Sequence, residues 1–179
     1  MGLQDVLERA EAPVDIGTAD LATMMNWADA VMASRAPYFI IGPASDAQPV
    51  DYIRRWWIIP RNSWSNLYLH LTLRDDDDRA LHDHPWSSRS VILSGGYVEI
   101  TPEGEFKRRP GDVIERSARA THRLVLHRDR DGQPIPNISL FFTGPKERDW
   151  GFHCPQGFVP WQIFTGGKHG ESVGRGCGE

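Results

Sequence analysis

Three histidines stand where they can share one ion. His82 and His84 lie two residues apart in Ala80-Leu81-His82-Asp83-His84-Pro85-Trp86. On an extended segment, residues i and i+2 point to the same side, so both imidazoles can reach one cation. His122 follows 38 residues after His84. Between them Pro110-Gly111-Asp112 signals a tight turn and Val113-Ile114 a short strand. A second turn and a returning strand would then carry His122 back across the fold. Three neutral imidazoles on one side of a divalent ion leave open positions for water or substrate. Only neutral imidazole ligates, so such a site weakens as pH falls below the ordinary histidine value of ~6.5. The competing role for these histidines is local, through hydrogen bonds that cap a loop.

Other residues can serve the same site. Asp78 lies four residues before His82 and is a candidate fourth ligand, or an acceptor that orients a histidine. It belongs to the run Asp75–Asp78, whose ordinary meaning is a solvated loop tip. Asp83, between the two histidines, should point away from the ion. Trp86 is a candidate for lining the pocket. Tyr68 and His70 share a strand face with Asn66, and if that face is inward they are candidates for catalysis and substrate binding. If it is not, Leu67, Leu69 and Leu71 fill the interior. Glu99 is a candidate general acid or base. His153 and Cys154 are adjacent and diverge on a strand, so Cys154 reads as a small buried hydrophobe.

The elements that must position these groups are mostly strands. Residues 3–11 read as a short helix. Thr18 to Ser34 reads as a second, with Leu21, Met24, Met25, Ala28, Val31 and Met32 at helical spacing and Thr18 or Asp20 as the cap. Pro37 ends it. Beyond Tyr38, short apolar runs separated by Gly, Pro, Asp and Asn place strands at 38–42, 52–59, 66–74, 88–94, 97–101, 112–115, 122–127, 137–143 and 159–164. The chain divides into a helical segment at 1–37, a β-barrel at 38–165 and a disordered tail at 166–179.

The histidine pattern resembles the cupin superfamily. The first cupin motif is Gly, HxH, Glu, Gly, and His82, His84 and Gly96 match it. The second is PGD, a short strand, P-x-G and a His, and Pro110, Gly111, Asp112 and His122 match it. The resemblance spans roughly residues 50–165. The strings DYIRRWWIIPRN, NLYLHLTLRDDDDRALHDHPW and LFFTGPKERDWGFHCPQGFVPW resemble small bacterial and phage-encoded cupins with an HDHPW motif. Two departures stand out. The family's Glu ligand falls at Ser88 or Arg89, and P-x-G is replaced by Ser117-Ala118-Arg119. The resemblance implies an all-β fold, a single cupin β-barrel (double-stranded β-helix or jelly roll) with one or two N-terminal helices. It further implies a divalent metal on His82, His84 and His122, and a homodimer with residues 1–60 contributing. A ligand set without Glu is similar to that of the three-histidine thiol dioxygenases. This puts Fe2+ first, with Zn2+, Mn2+ or Ni2+ also suited. An inward arginine at the Glu position is unfavourable beside a cation unless an anion lies between them. Arg89 or Arg123 is thus a candidate for binding an anionic substrate, and the alternative is an outward Arg89 paired with Glu99 or an aspartate.

Bulk properties narrow the function classes. The 179 residues suit one domain, with 40% apolar and 25% charged residues. A net charge of −4 offers no general attraction for nucleic acid or anionic membranes. No apolar run approaches the ~20 residues of a membrane span, and the start MGLQDVLERAEAP lacks a signal core, so a cytoplasmic protein is expected. Cys154 and Cys177 form no disulfide framework, and Cys177 reads as an idle thiol. Three functions fit. The first is a metal-dependent enzyme on a small polar or anionic molecule, as an iron dioxygenase or a zinc or manganese isomerase, lyase or hydrolase. The second is a non-catalytic metal- or ligand-binding module. The third is a phage-type nucleotide or nucleic-acid modifier that uses Arg54, Arg55 and Arg61 interleaved with Trp56, Trp57 and Trp64.

Overall fold

In the computed structural model of the chain, residues 20–42, 49–76, 79–166 and 174–178 are described. The expected helix at 3–11, the cap candidate Thr18 and the ligand candidate Asp78 lie outside them. Helix α1 (Leu21–Ser34) starts after Asp20, whose carboxylate accepts the Thr23 backbone N–H at 2.8 Å. The helix ends as Arg35 turns to extended backbone before Pro37.

The strands follow in order: β1 (Phe39–Ile41), β2 (Ile53–Trp57), β3 (Asn66–Thr72), β4 (Leu81–His82), β5 (Ser88–Ser94), β6 (Tyr97–Thr101), β7 (Gly104–Arg108), β8 (Val113–Arg116), β9 (Arg123–Leu126), β10 (Asn137–Thr143), β11 (Gly151–Cys154) and β12 (Gly157–Pro160). Helix α2 (Trp161–Thr165) closes the series. One layer is a six-stranded sheet in the order β1-β2-β3-β10-β5-β8. Two three-stranded sheets, β12-β11-β4 and β7-β6-β9, are joined by a lone bridge between His82 and His122. The bridge makes them a second layer.

Strand alternation gives the large sheet two distinct faces. Its outer face carries Trp56, Leu67, Leu69, Leu93 and Leu140, packed on Trp27 and Ala28 of α1. Each such side chain contributes about 1.5–3 kcal/mol when fully buried. The opposite face carries Arg55, Tyr68, His70, Phe141 and Ser90 in cross-strand register. Both faces of β3 are therefore covered. The leucines lie under the helix, and Tyr68 and His70 point between the layers.

Three expectations fail. Strands β4, β7 and β11 were not among those expected: β4 is only two residues long, and β7 is polar and exposed without alternation. The strand expected at 159–164 is instead the end of β12 followed by α2. Its aromatic and β-branched residues mimic a strand, but Phe164 alone is buried, stacked on Phe152. The tail also returns to the fold at 174–178. Cys177 forms a disulfide with Cys154, and Gly176 N–H donates to the Phe164 carbonyl at 3.2 Å. Cys177 is thus no idle thiol, and it covers the cluster of Ala80, Phe152 and Phe164.

Closing a chain segment of 23 residues constrains the unfolded state by about 3 kcal/mol. Reduction, or Cys177→Ser, is expected to lower stability by that order, read as a shift in the urea midpoint. Superimposable curves with and without reductant would show that the link adds nothing.

Candidate metal centre

The three histidines come together because two pieces of backbone pair. His82 N–H donates to the His122 carbonyl and His122 N–H to the His82 carbonyl, both at 2.9 Å. Residues paired this way present side chains on the same face. His84 lies two residues beyond His82 and turns to the same side. The ring centroids form a near-equilateral triangle of 5.1, 4.9 and 5.1 Å. One ring nitrogen from each lies within 4.8 Å of the others, and the His84 and His122 Nε2 atoms are 2.9 Å apart. Nitrogens bound to one tetrahedral zinc are separated by about 3.4 Å. The donor set thus fits a single divalent ion with small ring movements.

The rings are held from behind. Glu99 Oε1 is 3.0 Å from His122 Nδ1. A carboxylate only accepts, so Nδ1 carries the proton and Nε2 keeps its lone pair toward the centre. Arg116 Nε and Arg108 Nε donate to the same carboxylate at 2.6 and 2.7 Å. Burial alone would raise the Glu99 carboxyl, but the His122 hydrogen bond and the Arg116 charge outweigh it and hold it at about 2. A carboxylate so low, with three donors on it, is a poor proton shuttle. The expectation of Glu99 as general acid or base therefore gives way to Glu99 as the group that orients His122.

His82 has a looser backing. Its Nδ1 lies 3.7 Å from Asp76 Oδ2, and it is buried without a hydrogen-bond partner among the described residues. Asp76 itself is buried, accepting from the Leu124 backbone N–H at 2.7 Å and from the Tyr52 hydroxyl. Asp75 accepts from the Leu126 N–H at 2.8 Å and pairs with Arg128. The acidic run is therefore no solvated tip over these two residues, because both carboxylates pin β9. Asp83 points away from the centre, as alternation requires. It is fully buried and accepts from Gly151 N–H at 3.0 Å, His153 Nε2 at 2.8 Å and Arg148. With Cys154 in a disulfide, His153 and Cys154 form no soft metal pair.

Burial lowers the pKa of His82 to about 4, with Asp76 opposing the shift and the His122 charge adding to it. Burial, then His82 and His122, push His84 well below the usual range. Both imidazoles are neutral near pH 7, the state ligation needs.

The substrate-side expectations divide. Trp86 stacks on His84 with centroids 5.1 Å apart, and Trp150, which the sequence offered only as packing, lies near-parallel to the same ring at 6.3 Å. His70 and Tyr68 face the interior, where Phe141 lies 5.0 Å from His70 and 6.3 Å from His84. Arg89 is on the outer face, 59% exposed and 3.3 Å from Glu115. The inward positions belong to Ser88 and Ser90, so the arginine is one residue out of phase with the interior. Arg123 pairs with Ile100, on the face opposite to Glu99, and is likewise turned from the centre. The interior arginines that sequence reasoning missed are Arg116 and Arg55. The basic-aromatic stretch is also split: Trp56 is under the helix, Arg55 faces inward, and Arg54 is held by Asp51 at 2.7 Å. It forms no single platform for bases.

No family model and no curated protein matches this sequence. Solved structures do. The DMSP lyase DddQ from Ruegeria pomeroyi DSS-3 matches with a TM-score of 0.56 and 17% identity, over 85% of this chain and 78% of that one. An RmlC-like cupin from Shewanella frigidimarina NCIMB 400 matches 54% of this chain and 78% of its own, at a TM-score of 0.41 and 14% identity. Identities this low speak to fold alone. The match to the R. pomeroyi structure and the strand-dominated layers give the chain the double-stranded β-helix fold of the cupins.

Proposed function

We propose that this chain holds one divalent metal ion on His82, His84 and His122 and uses it to act on a small polar or anionic molecule. The observation that carries this reading is the triangle of three imidazoles, their ligating atoms within 4.8 Å, with Glu99 against His122 Nδ1. With no carboxylate among these ligands, the bound centre has net charge near +2. Ferrous iron there supplies redox chemistry toward dioxygen, whereas zinc or manganese supplies Lewis acidity. Iron-dependent oxygenation stands first, on the three-histidine ligand set. That the similar R. pomeroyi protein is a lyase is a reason to assay elimination beside it.

The chain's own groups have separable tasks. Glu99 keeps His122 ready to ligate. Trp86 and Trp150 pack near-parallel to His84 and shield it from water. Tyr68 is buried, and its hydroxyl has no hydrogen bond among the described residues, so it is the candidate for proton transfer to substrate. A metal-binding module without chemistry is the second reading. Aerobic turnover that needs ferrous iron and consumes dioxygen supports the oxygenase, and turnover with zinc and no dioxygen supports a lyase or isomerase. Metal removal that changes only thermal stability supports the module.

Three outcomes are expected. Untagged protein reconstituted with iron or zinc should carry about one ion per chain, and saturation near 100 times Kd should add about 2.7 kcal/mol. His122→Ala should abolish both effects, as elemental analysis and melting would read. Glu99→Gln should weaken metal affinity ~10–100-fold in a chelator competition and lower the melting temperature, because it leaves Arg108 and Arg116 without their charge partner. Equal affinities would remove Glu99 from the centre.

The third concerns pH. The folded value of His82, about 4, lies below the ~6.5 of an unfolded histidine. Between these values the unfolded chain binds more protons. Stability is therefore full above ~6.5 and is lost as pH falls toward about 4, by roughly 3 kcal/mol for His82, with His84 acting in the same direction. Urea midpoints of metal-free protein should fall across that window, and a flat profile would contradict the burial of neutral histidines.

A further inference from the structure

The last described residues fold back on the second layer and are held there covalently. Cys177 is bonded to Cys154 at the end of β11. Beside this link, Arg79 Nη1 donates to the Gly174 carbonyl at 3.3 Å, and the Arg79 guanidinium lies 4.5 Å from the Phe164 ring centroid. Phe164 stacks on Phe152 with centroids 3.6 Å apart, and Phe152 is paired in register with His82. The tail is thus a cover over the apolar cluster that backs β4 and β11.

The two sulfurs of the link are not equivalent. Cys154 is buried, whereas Cys177 is half-buried. Cys177 also lines a cleft of about 200 Å³ between the tail, β12 and α2, and Cys154 does not. Phe158 and Ile163 in the cleft walls are 43% and 51% exposed and offer apolar contact. Arg175 lines the same cleft, two residues before Cys177, and is exposed. No carboxylate among the described residues pairs with it. A disulfide opens when a thiolate reaches one sulfur and displaces the other, so access decides where it opens. A cation beside the attacked sulfur favours the thiolate form of the groups that meet there.

We propose that the Cys154–Cys177 link is an exchange site for a small anionic thiol, which enters this cleft, places its carboxylate on Arg175 and attacks Cys177, and that opening the link lifts the tail. The bond from the incoming sulfur to Cys177 Sγ forms as the bond to Cys154 Sγ breaks. Cys154 leaves as a thiolate and takes a proton from water. A second molecule of the thiol attacks the sulfur of the first and displaces Cys177 as a thiolate, which is protonated in turn. Two thiols are oxidised to one disulfide, and the protein link is reduced to two cysteines. The cover over Phe152 and Phe164 then loses its covalent anchor. Nothing in this inference depends on a bound metal.

The test treats the oxidised, folded protein at low ionic strength with glutathione, a net anion, or with cysteamine, a cation. Reactions are quenched with acid, free thiols are blocked with N-ethylmaleimide, and the peptides are mapped by mass. The early product should carry glutathione on Cys177 and maleimide on Cys154. Opening per thiolate should be faster with glutathione than with cysteamine. Arg175→Gln should slow glutathione roughly fivefold, the factor carried by two unit charges about 4 Å apart in water, and Arg175→Lys should keep the wild-type rate. In urea the preference for one sulfur should vanish. Backbone hydrogen exchange over residues 79–82 and 151–154 should rise once the link is open. Adducts divided equally between the two cysteines, a glutathione rate unchanged by Arg175→Gln, opening in urea alone, or hydrogen exchange unchanged after opening would each overturn the proposal and leave the disulfide as a structural staple.

Discussion

Two backbone hydrogen bonds between His82 and His122 hold the second layer of this fold together and set its chemistry. They are the bridge that joins β12-β11-β4 to β7-β6-β9. The same pairing puts two imidazoles side by side, and the two-residue repeat of the extended chain adds the third. A slip of one residue would turn His122 outward and bring Arg123 in. The local fold and the candidate centre therefore depend on one register. That explains why so much of the surrounding chemistry is spent on holding it. Asp75 and Asp76 pin the backbone of β9, and Asp83 pins the segment that returns as β11.

Charge is arranged around that register in layers. Arg108 and Arg116 converge on Glu99, and Glu99 in turn binds the one histidine nitrogen that must not ligate. A buried carboxylate with two guanidiniums is stable only as a complete set, since removing one member strands the others. Cationic residues near a cation site are otherwise unfavourable. Here Arg108 and Arg116 are neutralised by Glu99, and Arg55 faces the interior with a neutral imidazole and an aromatic ring beside it. The aromatic shell of Trp86, Trp150, Phe141 and Phe152 keeps the His82 and His84 imidazoles desolvated, and so neutral.

What could be read from the sequence was what rests on short spacing. His82 and His84 follow from alternation, the turn at Pro110-Gly111-Asp112 implies a returning strand, and the helix from Leu21 shows its period directly. What failed needs the register between distant strands. Arg89 and Ser88 are neighbours, and only the pairing of β5 with β10 and β8 decides which one faces in. Glu99 was legible as a candidate acid or base, but its task is set by partners 9, 17 and 23 residues away. Asp76 was hidden in an acidic run whose average meaning is solvation. The Cys154–Cys177 link was unreadable, since two cysteines carry no pairing information until the tail is seen to return.

The most direct test is X-ray absorption at the metal edge of zinc- or cobalt-loaded protein, with multiple-scattering analysis of the imidazole shells. Three imidazoles on one ion are expected, the remaining positions filled by light atoms from solvent or added ligand, and two imidazoles in His84→Ala. A spectrum with no histidine shell, with sulfur ligands, or with an unchanged imidazole count in His84→Ala would contradict the three-histidine centre.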